Sequence, residues 1–460
     1  MIEVKQVSVR RAGLPLLKDI TWRITAGEHW VITGANGSGK TWLLELLAGH
    51  VHATAGEVVY DFVQGTTWDE RFALRKQHIH YIPAHALQVF LQQHDMFYQQ
   101  RYYSMGDERV PRVKDILGVE ADAFEALGMP ATFNIASLLE IDVTRLSNGQ
   151  LKKVVILQQL LRGLPRVLLV DYPFEGLDPA SRADLAAFLD HLARQQGITL
   201  VMTDHGHHLP AAINRRLVLA AGTVKAIEPV QPSPWPAPVT PAPAKPLQDG
   251  TPIVEMKGVA IRYGSRTILE DFHWTIRQGE RWALTGRNGS GKTTLFSLIF
   301  ADHPMAYSQP VFLFGKRRGS GESIWDIKNR INYFGPELIS YLAPQYRPET
   351  ARTWIANQHR QLNRQALTHA IEHFQAQDFI GHPVKTLSSG QLQVMLIISS
   401  LVSGRELLLL DEPYQFLDAA NKERLNDYLH EHLHPDTTLV LITHYEDDIA
   451  RWTQQRLVLA

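Results

Sequence analysis

Nine residues, Gly286-Arg287-Asn288-Gly289-Ser290-Gly291-Lys292-Thr293-Thr294, bring together what a phosphate group needs. Gly286, Gly289 and Gly291 let the backbone curl so that its N–H groups converge on one anion. Lys292 adds a positive charge near the terminal phosphates, and Thr293 can offer its hydroxyl to Mg²⁺. Asn288, Ser290 and Thr294 fill out the loop. An apolar run, Trp282-Ala283-Leu284-Thr285, precedes it, and Leu295-Phe296-Ser297-Leu298-Ile299-Phe300 follows. Strand, glycine loop and helix form the context that makes the pattern chemical. The helix then points its positive end at the same phosphates.

The elements around this loop occur twice. Residues 2–41 align without a gap on 254–293, and about half of the positions are identical. The first copy of the loop therefore carries Gly34, Asn36, Gly37, Ser38, Gly39, Lys40 and Thr41. Each copy opens with short alternating strands and turns at Gly27 or Gly279 before entering the loop. Two α/β domains are expected, 1–227 and 251–460, each long enough to fold alone. Between them, Glu228 to Gly250 holds prolines at 229, 232, 234, 236, 238, 241, 243 and 246. Those prolines forbid helix and sheet ladders and favour a polyproline spacer. At ~3.1 Å per residue it reaches on the order of 60 Å.

Composition removes several function classes. Lys and Arg number 46 against 47 Asp and Glu, so net charge gives no support for bulk nucleic-acid binding. The chain has no cysteine, which excludes disulfides, thiol catalysis, iron–sulfur clusters and cysteine zinc sites. The opening MIEVKQVSVRR alternates like a strand and lacks the apolar centre of a signal peptide. No segment reaches the ~18 to 20 apolar residues needed to span a bilayer. A cytoplasmic protein is expected, with a peripheral place on the inner face of the cell membrane where a partner recruits it.

Downstream of the second loop come Leu387-Ser388-Ser389-Gly390-Gln391, then the buried-strand pattern LLLLDEP, Leu407 to Pro413. Asp411 at the strand's end can hold Mg²⁺ through water, and Glu412 sits where a carboxylate can take a proton from an attacking water. Leu417-Asp418 follows, and a second apolar strand ends in His444. The first copy repeats the order with LSNGQ (Leu146 to Gln150), VLLVDYP ending Asp171-Tyr172-Pro173, Leu177-Asp178 and a strand ending in His205.

Glycine loop, L-S-x-G-Q, apolar strand with terminal Asp, and terminal His together strongly resemble the ATP-binding-cassette ATPases, in two copies that cover nearly the whole chain. The resemblance implies two tandem P-loop NTPase cassettes, each with a RecA-like core, an antiparallel β subdomain and a helical subdomain. It implies ATP and Mg²⁺ as ligands, with Thr41 and Asp171, and Thr293 and Asp411, holding the metal. It also implies intramolecular cassette pairing, with each ATP between the glycine loop of one cassette and the L-S-x-G-Q loop of the other. Ser147, Gly149 and Gln150 would then complete the second site, and Ser388, Gly390 and Gln391 the first. Tyr263 would stack on adenine, and His444 would contact the γ-phosphate.

The two sites are not equal. Arg11 stands where Tyr263 does, Trp42 replaces Thr294, and Tyr172 replaces Glu412. A phenol with pKa near 10 is a poor base at neutral pH. One competent and one degenerate site are expected, with Glu412 and His444 as the catalytic pair; Glu175 is the alternative base for the first site. Both copies also lack the glutamine that the family carries after the next strand, offering Ala84 in IHYIPAH and Pro336-Glu337 in INYFGPEL. The stretches GESIWDIKNRINYFGPEL and QQHDMFYQQRYYSMGDERVPRVKDIL resemble a subgroup of tandem cassettes, the ModF type, associated with molybdate transport and photorepair.

Other features have plainer readings. His205-Gly206-His207-His208 could be a metal cluster, but its place after a buried strand makes His205 the counterpart of His444. Tyr98, Arg101, Tyr102 and Tyr103 could stack on nucleobases or meet a membrane subunit, and ordinary packing explains them as well. Three functions compete: an ATPase driving transmembrane permease subunits, in molybdate-type uptake; a soluble cassette pair acting on ribosomes; and a DNA-repair or regulatory ATPase. The short proline spacer and the neutral charge weigh for the first.

Overall fold

The computed structural model describes residues 1–11, 14–84, 86, 90, 111–119, 133, 135–143, 146, 148–204, 209–230, 250–263, 266–286, 289–335, 338, 342, 348–359, 362–402, 404–415, 417–433 and 436–459. They fall into two compact units. The proline spacer lies almost wholly outside the described residues.

In the first unit, β1 (Ile2–Arg11), β2 (Leu14–Ile24), β3 (Trp30–Thr33) and β4 (Ala55–Tyr60) alternate with α1 (Lys40–Ala48). There follow α2 (Trp68–His78), β5 (Ile79–Ile82), α3 (Val113–Leu117), α4 (Ile135–Leu139), α5 (Asn148–Leu160) and β6 (Val167–Asp171). The unit closes with α6 (Pro179–Arg194), β7 (Thr199–Thr203), β8 (Arg215–Ala220) and β9 (Thr223–Pro229). A six-stranded sheet runs β5-β6-β7-β3-β8-β9, parallel except for the β8–β9 hairpin, and an antiparallel sheet runs β2-β1-β4.

The opening strands are longer than the short ones expected from alternation. Ile2 and Val4 face the core, but so do Val7 and Val9, so the period slips by one residue. Gln6 supplies the slip: it has φ +46°, and the β1–β2 register shifts between Val4 and Val7. A bulge of this kind inserts one residue and sharpens the local twist.

β6 is buried along its whole length, as a parallel strand covered on both faces must be. Val167 and Leu169 join the core shared with β1, β2 and α1, whereas Leu168 and Val170 join the core shared with α5 and α6. α1 contributes Leu43, Leu44, Leu46 and Leu47. At about 1.5–3 kcal/mol per buried leucine, this packing holds the start of α1, and hence the loop before it, against the sheet.

The second unit repeats the plan. Its elements are β10 (Pro252–Tyr263), β11 (Arg266–Arg277), β12 (Arg281–Gly286), α7 (Lys292–Ile299), β13 (Val311–Leu313), β14 (Lys316–Arg317), α8 (Ile324–Lys328) and β15 (Ile331–Phe334). Then come α9 (Ala351–Gln358), α10 (Arg364–His373), α11 (Gln377–Ile380), α12 (Ser389–Leu401), β16 (Leu407–Asp411), α13 (Ala419–His432), β17 (Thr438–Ile442), α14 (Glu446–Trp452) and β18 (Gln455–Leu459). The parallel sheet runs β15-β16-β17-β12-β18, and the antiparallel sheet β11-β10-β13-β14. Gly258 takes the bulge position of Gln6. The helices from α9 to α12 pack into one core with Leu408 and Leu410, on the sheet face opposite Leu407 and Leu409.

Candidate functional site

In each unit the candidate residues gather where parallel strands end, the edge at which open α/β sheets bind ligands. In the first unit β3 ends at Thr33 and the chain turns through Gly34, φ +146°. A Cβ there would stand 2.2 Å from the Leu219 carbonyl oxygen of β8, so only glycine lets the loop pass. The loop delivers Lys40 as the first residue of α1. The side chain is buried and its Nζ donates to the carbonyls of Gly34 at 2.6 Å and Ala35 at 2.8 Å. Thr41 donates its hydroxyl to Asp171 Oδ2 at 2.9 Å.

β7 lies between β3 and β6, and its last residue adds a contact that sequence reasoning missed. Thr203 Oγ1 donates to Asp171 Oδ1 at 2.5 Å and accepts from the Tyr172 N–H at 2.9 Å. Tyr172 is left-handed, φ +49°, and its ring centroid lies 5.8 Å from Lys40 Nζ. The repeat places Ile442 where Thr203 stands, and that exchange of a hydroxyl for an alkyl group was the signal available in the sequence.

The second unit builds the same frame with different contacts. Gly286 has φ +145°, and a Cβ on it would meet the Leu459 carbonyl oxygen at 2.4 Å. Lys292 Nζ donates to the Gly286 carbonyl at 2.7 Å, and Thr293 Oγ1 lies 3.4 Å from Asp411 Oδ2. Burial pushes the Asp411 carboxyl up to about 6, opposed by the Lys292 charge and the Thr293 hydroxyl. Glu412 shares the left-handed turn of Tyr172, φ +49°, and its N–H donates to the Ile442 carbonyl at 2.8 Å. Its Oε1 lies 3.3 Å from His444 Nε2, and both side chains are nearly enclosed.

The L-S-x-G-Q segments begin helices α5 and α12. Ser388 is the N-cap of α12: its hydroxyl accepts from the Gln391 N–H at 3.3 Å, while Gln391 Oε1 accepts from the Ser388 N–H at 2.9 Å. This reciprocal box satisfies two N–H donors at the helix start. In the first unit Gly149 is buried, and a Cβ on it would come 2.8 Å from Ser181 Cβ at the start of α6.

Gly34, Gly37, Ser38, Gly39, Lys40, Thr41 and Asp171 thus converge, as do Gly286, Gly289, Ser290, Gly291, Lys292, Thr293, Asp411, Glu412 and His444. Thr294 is instead buried in its helix, and Trp42 packs against the core at the equivalent turn. Asn288, Ser147, Pro336, Glu337, the 205–208 run and Tyr98 to Tyr103 lie outside the described residues, as do the side chains of Arg11 and Tyr263. Ala84 follows β5 after Pro83. Glu175 offers its carbonyl oxygen to Lys152 Nζ at 2.7 Å.

Comparison with known proteins bears on the family and the fold. The profile of the ABC transporter family matches residues 17–175 and 269–415. An uncharacterized ABC transporter ATP-binding protein of Schizosaccharomyces pombe is 29% identical, with 97% of this chain and 95% of that one covered. The ABC transporter ATP-binding protein ModF of Escherichia coli is 30% identical, covering 99% and 96%. Among solved structures, the archaeal ribosome recycling factor aABCE1 in complex with the ribosomal stalk protein aP1 is similar in fold, with TM-score 0.58 and 17% identity. That match covers 98% of this chain and 87% of the other.

Proposed function

The chain belongs to the ABC transporter family as a tandem of two ATP-binding cassettes, and on that premise we propose that it is an ATPase with one working site that energises transport through separate membrane subunits. The observation that carries this reading is the pair of Glu412 and His444, 3.3 Å apart at the end of β16, with Tyr172 in the place of Glu412 in the first unit. Glu412 accepts the proton of the attacking water, and His444 orients that carboxylate and reaches the terminal phosphate. Lys292 and the N–H groups of the loop bind the phosphates.

The hydroxyl of Thr293 and the carboxylate of Asp411 are hard oxygen donors on adjoining elements, a set that suits Mg²⁺. Thr41 and Asp171 form the same set. Bound Mg²⁺ supplies charge neutralisation at the β- and γ-phosphates. In the first site Lys40, Thr41 and Asp171 still bind nucleotide, but the Tyr172 phenol takes no proton near pH 7, so ATP is held without being cleaved. Cassette pairing, as the family resemblance implies it, belongs to this reading.

ModF is named as an ABC transporter ATP-binding protein, and that likeness supports transport as the role; molybdate-type uptake is the form of it that we propose. The protein would work in the cytoplasm, at the inner face of the membrane. Among the described residues no helix is long and apolar enough to cross a membrane. Affinity purification from native membranes after crosslinking tests the reading, with a permease subunit as the expected partner. Co-sedimentation with ribosomes that is lost on RNase treatment, and no membrane partner, would overturn it.

A further inference from the structure

Lys152 stands two residues beyond the L-S-x-G-Q loop of the first unit, inside α5. Its side chain is half-buried and its ammonium end enclosed. That ammonium donates to three carbonyls of the turn that follows Asp171: Tyr172 at 3.4 Å, Pro173 at 2.7 Å and Glu175 at 2.7 Å. An ammonium has three N–H donors and no acceptor, so all of them go to one turn. The repeat places Gln393 at the equivalent position, where its Nε2 donates once, to the Pro413 carbonyl at 2.8 Å. The two units therefore hold the same turn by different means, at the place where Tyr172 stands for Glu412.

The clamp reaches the phosphate loop through Tyr172. A bulky residue keeps a left-handed conformation only where its surroundings impose it. Here the Tyr172 N–H is bonded to Thr203 and its carbonyl to Lys152, so the peptide groups on both sides of its Cα are fixed. Held in that way, the ring lies 5.8 Å from Lys40 Nζ, within the range of a cation–π contact. Lys40 in turn bonds the loop carbonyls of Gly34 and Ala35. Direct contacts thus run from Lys152 to Tyr172 to Lys40 to the loop. From them we infer that Lys152 is a positioning residue of the first phosphate site and sets how long that site retains a nucleoside triphosphate. The inference rests on the reading of the first site as a nucleotide holder.

Burial draws the Lys152 ammonium down to about 7; Glu175 and Asp204 oppose the shift and Arg182 adds to it. Those three are the charged groups that face it among the described residues. The clamp is charged below pH 7 and loses its charge above, while a guanidinium in its place would stay charged throughout.

Release of a fluorescent ATP analogue from the full-length Lys292→Ala protein isolates the first site. Expected is slow release at pH 6 that quickens as pH rises to about 8.5, across the titration of the clamp. Lys152→Gln, which copies the second unit, should release roughly tenfold faster at pH 6, the effect of losing about one charge-assisted hydrogen bond, with no pH dependence. Lys152→Arg should release slowly at every pH, and it decides the matter if the Gln variant does not fold. Retained nucleotide whose release is the same and equally pH-dependent in wild type and in both variants overturns this inference alone. A Lys292→Ala protein that retains no nucleotide overturns the holder reading and the inference with it.

Discussion

His444 Nε2 lies 3.3 Å from Glu412 Oε1 at the end of β16. At the matching end of β6, Tyr172 instead turns its ring toward Lys40, 5.8 Å from the ammonium. One unit sets a carboxylate and an imidazole together, and the other sets a phenol beside a cation. On the proposed reading, the first arrangement takes the proton of the attacking water at pH 7 and the second does not.

Glu412→Gln keeps the shape and hydrogen bonding of the side chain and removes the proton acceptor. Turnover should fall by roughly 10²- to 10⁴-fold, about 3 to 5 kcal/mol of barrier, while ATP binding survives. Phosphate release measured beside filter-bound nucleotide checks both halves. A variant that still turns over near the wild-type rate would falsify the assignment of Glu412.

The loop lysines should separate in the same assay. Lys292→Ala should remove nearly all turnover, because Glu412, the base of the proposed reading, lies in its unit. Lys40→Ala should chiefly shorten nucleotide retention. Equal losses of kcat in the two proteins, with retention unchanged, would remove the asymmetry.

Tyr172→Phe should leave turnover within about twofold, since a phenol that stays protonated has no proton-accepting role to lose. The ring's contact with Lys40 remains in the variant. A phosphate-release assay in which this protein stops would show that the first site does chemistry.

Thr203→Val removes a hydroxyl that donates to Asp171 and accepts from Tyr172, and keeps the volume of a fully buried side chain. The cost should be about 1–3 kcal/mol, as for other buried polar groups stripped of a partner. Urea denaturation of the nucleotide-free protein reads it, and an unchanged midpoint would show that Thr203 does not hold Asp171.

Acid should loosen the protein through His80 and His303. Burial holds both imidazoles down to about 4, from an ordinary 6.5. Between those values the unfolded chain binds a proton that the folded one refuses, so stability is complete above pH 6.5 and drains away as pH falls toward 4. His303→Asn keeps an acceptor for the Met305 N–H, which His303 Nδ1 now receives at 3.1 Å. Its unfolding midpoint should depend less steeply on pH across that window than the wild-type midpoint does.

The glycine loops, the strands ending in Asp171 and Asp411, and the helices that start at Lys40 and Lys292 were legible because each is local: residue type and spacing decide it. Thr203 was not, since its value depends on β7 lying beside β6, a register that no single stretch encodes. Lys152 carried no signal of its own in the sequence, and only the path of the chain after Asp171 brings three carbonyls to it. The expectation of short opening strands failed for a related reason. A phase slip at Gln6 reads as the end of a strand, although the ladder continues through it for ten residues.

That slip has a partner. Gln6 and Asp19 both have positive φ in the first hairpin, and Gly258 and Asp271 do in the second. Plain alternation needs none of these surplus residues: removing one from each strand would leave Ile2, Val4, Val7 and Val9 still on a single face. What the extra residues add is curvature, through the twist that a bulge imposes. Both halves keep the bend at the same step while about half of the surrounding positions differ between them. Engineering that straightens either hairpin should preserve its hydrophobic inventory and lose the arc that wraps it over α1 or α7.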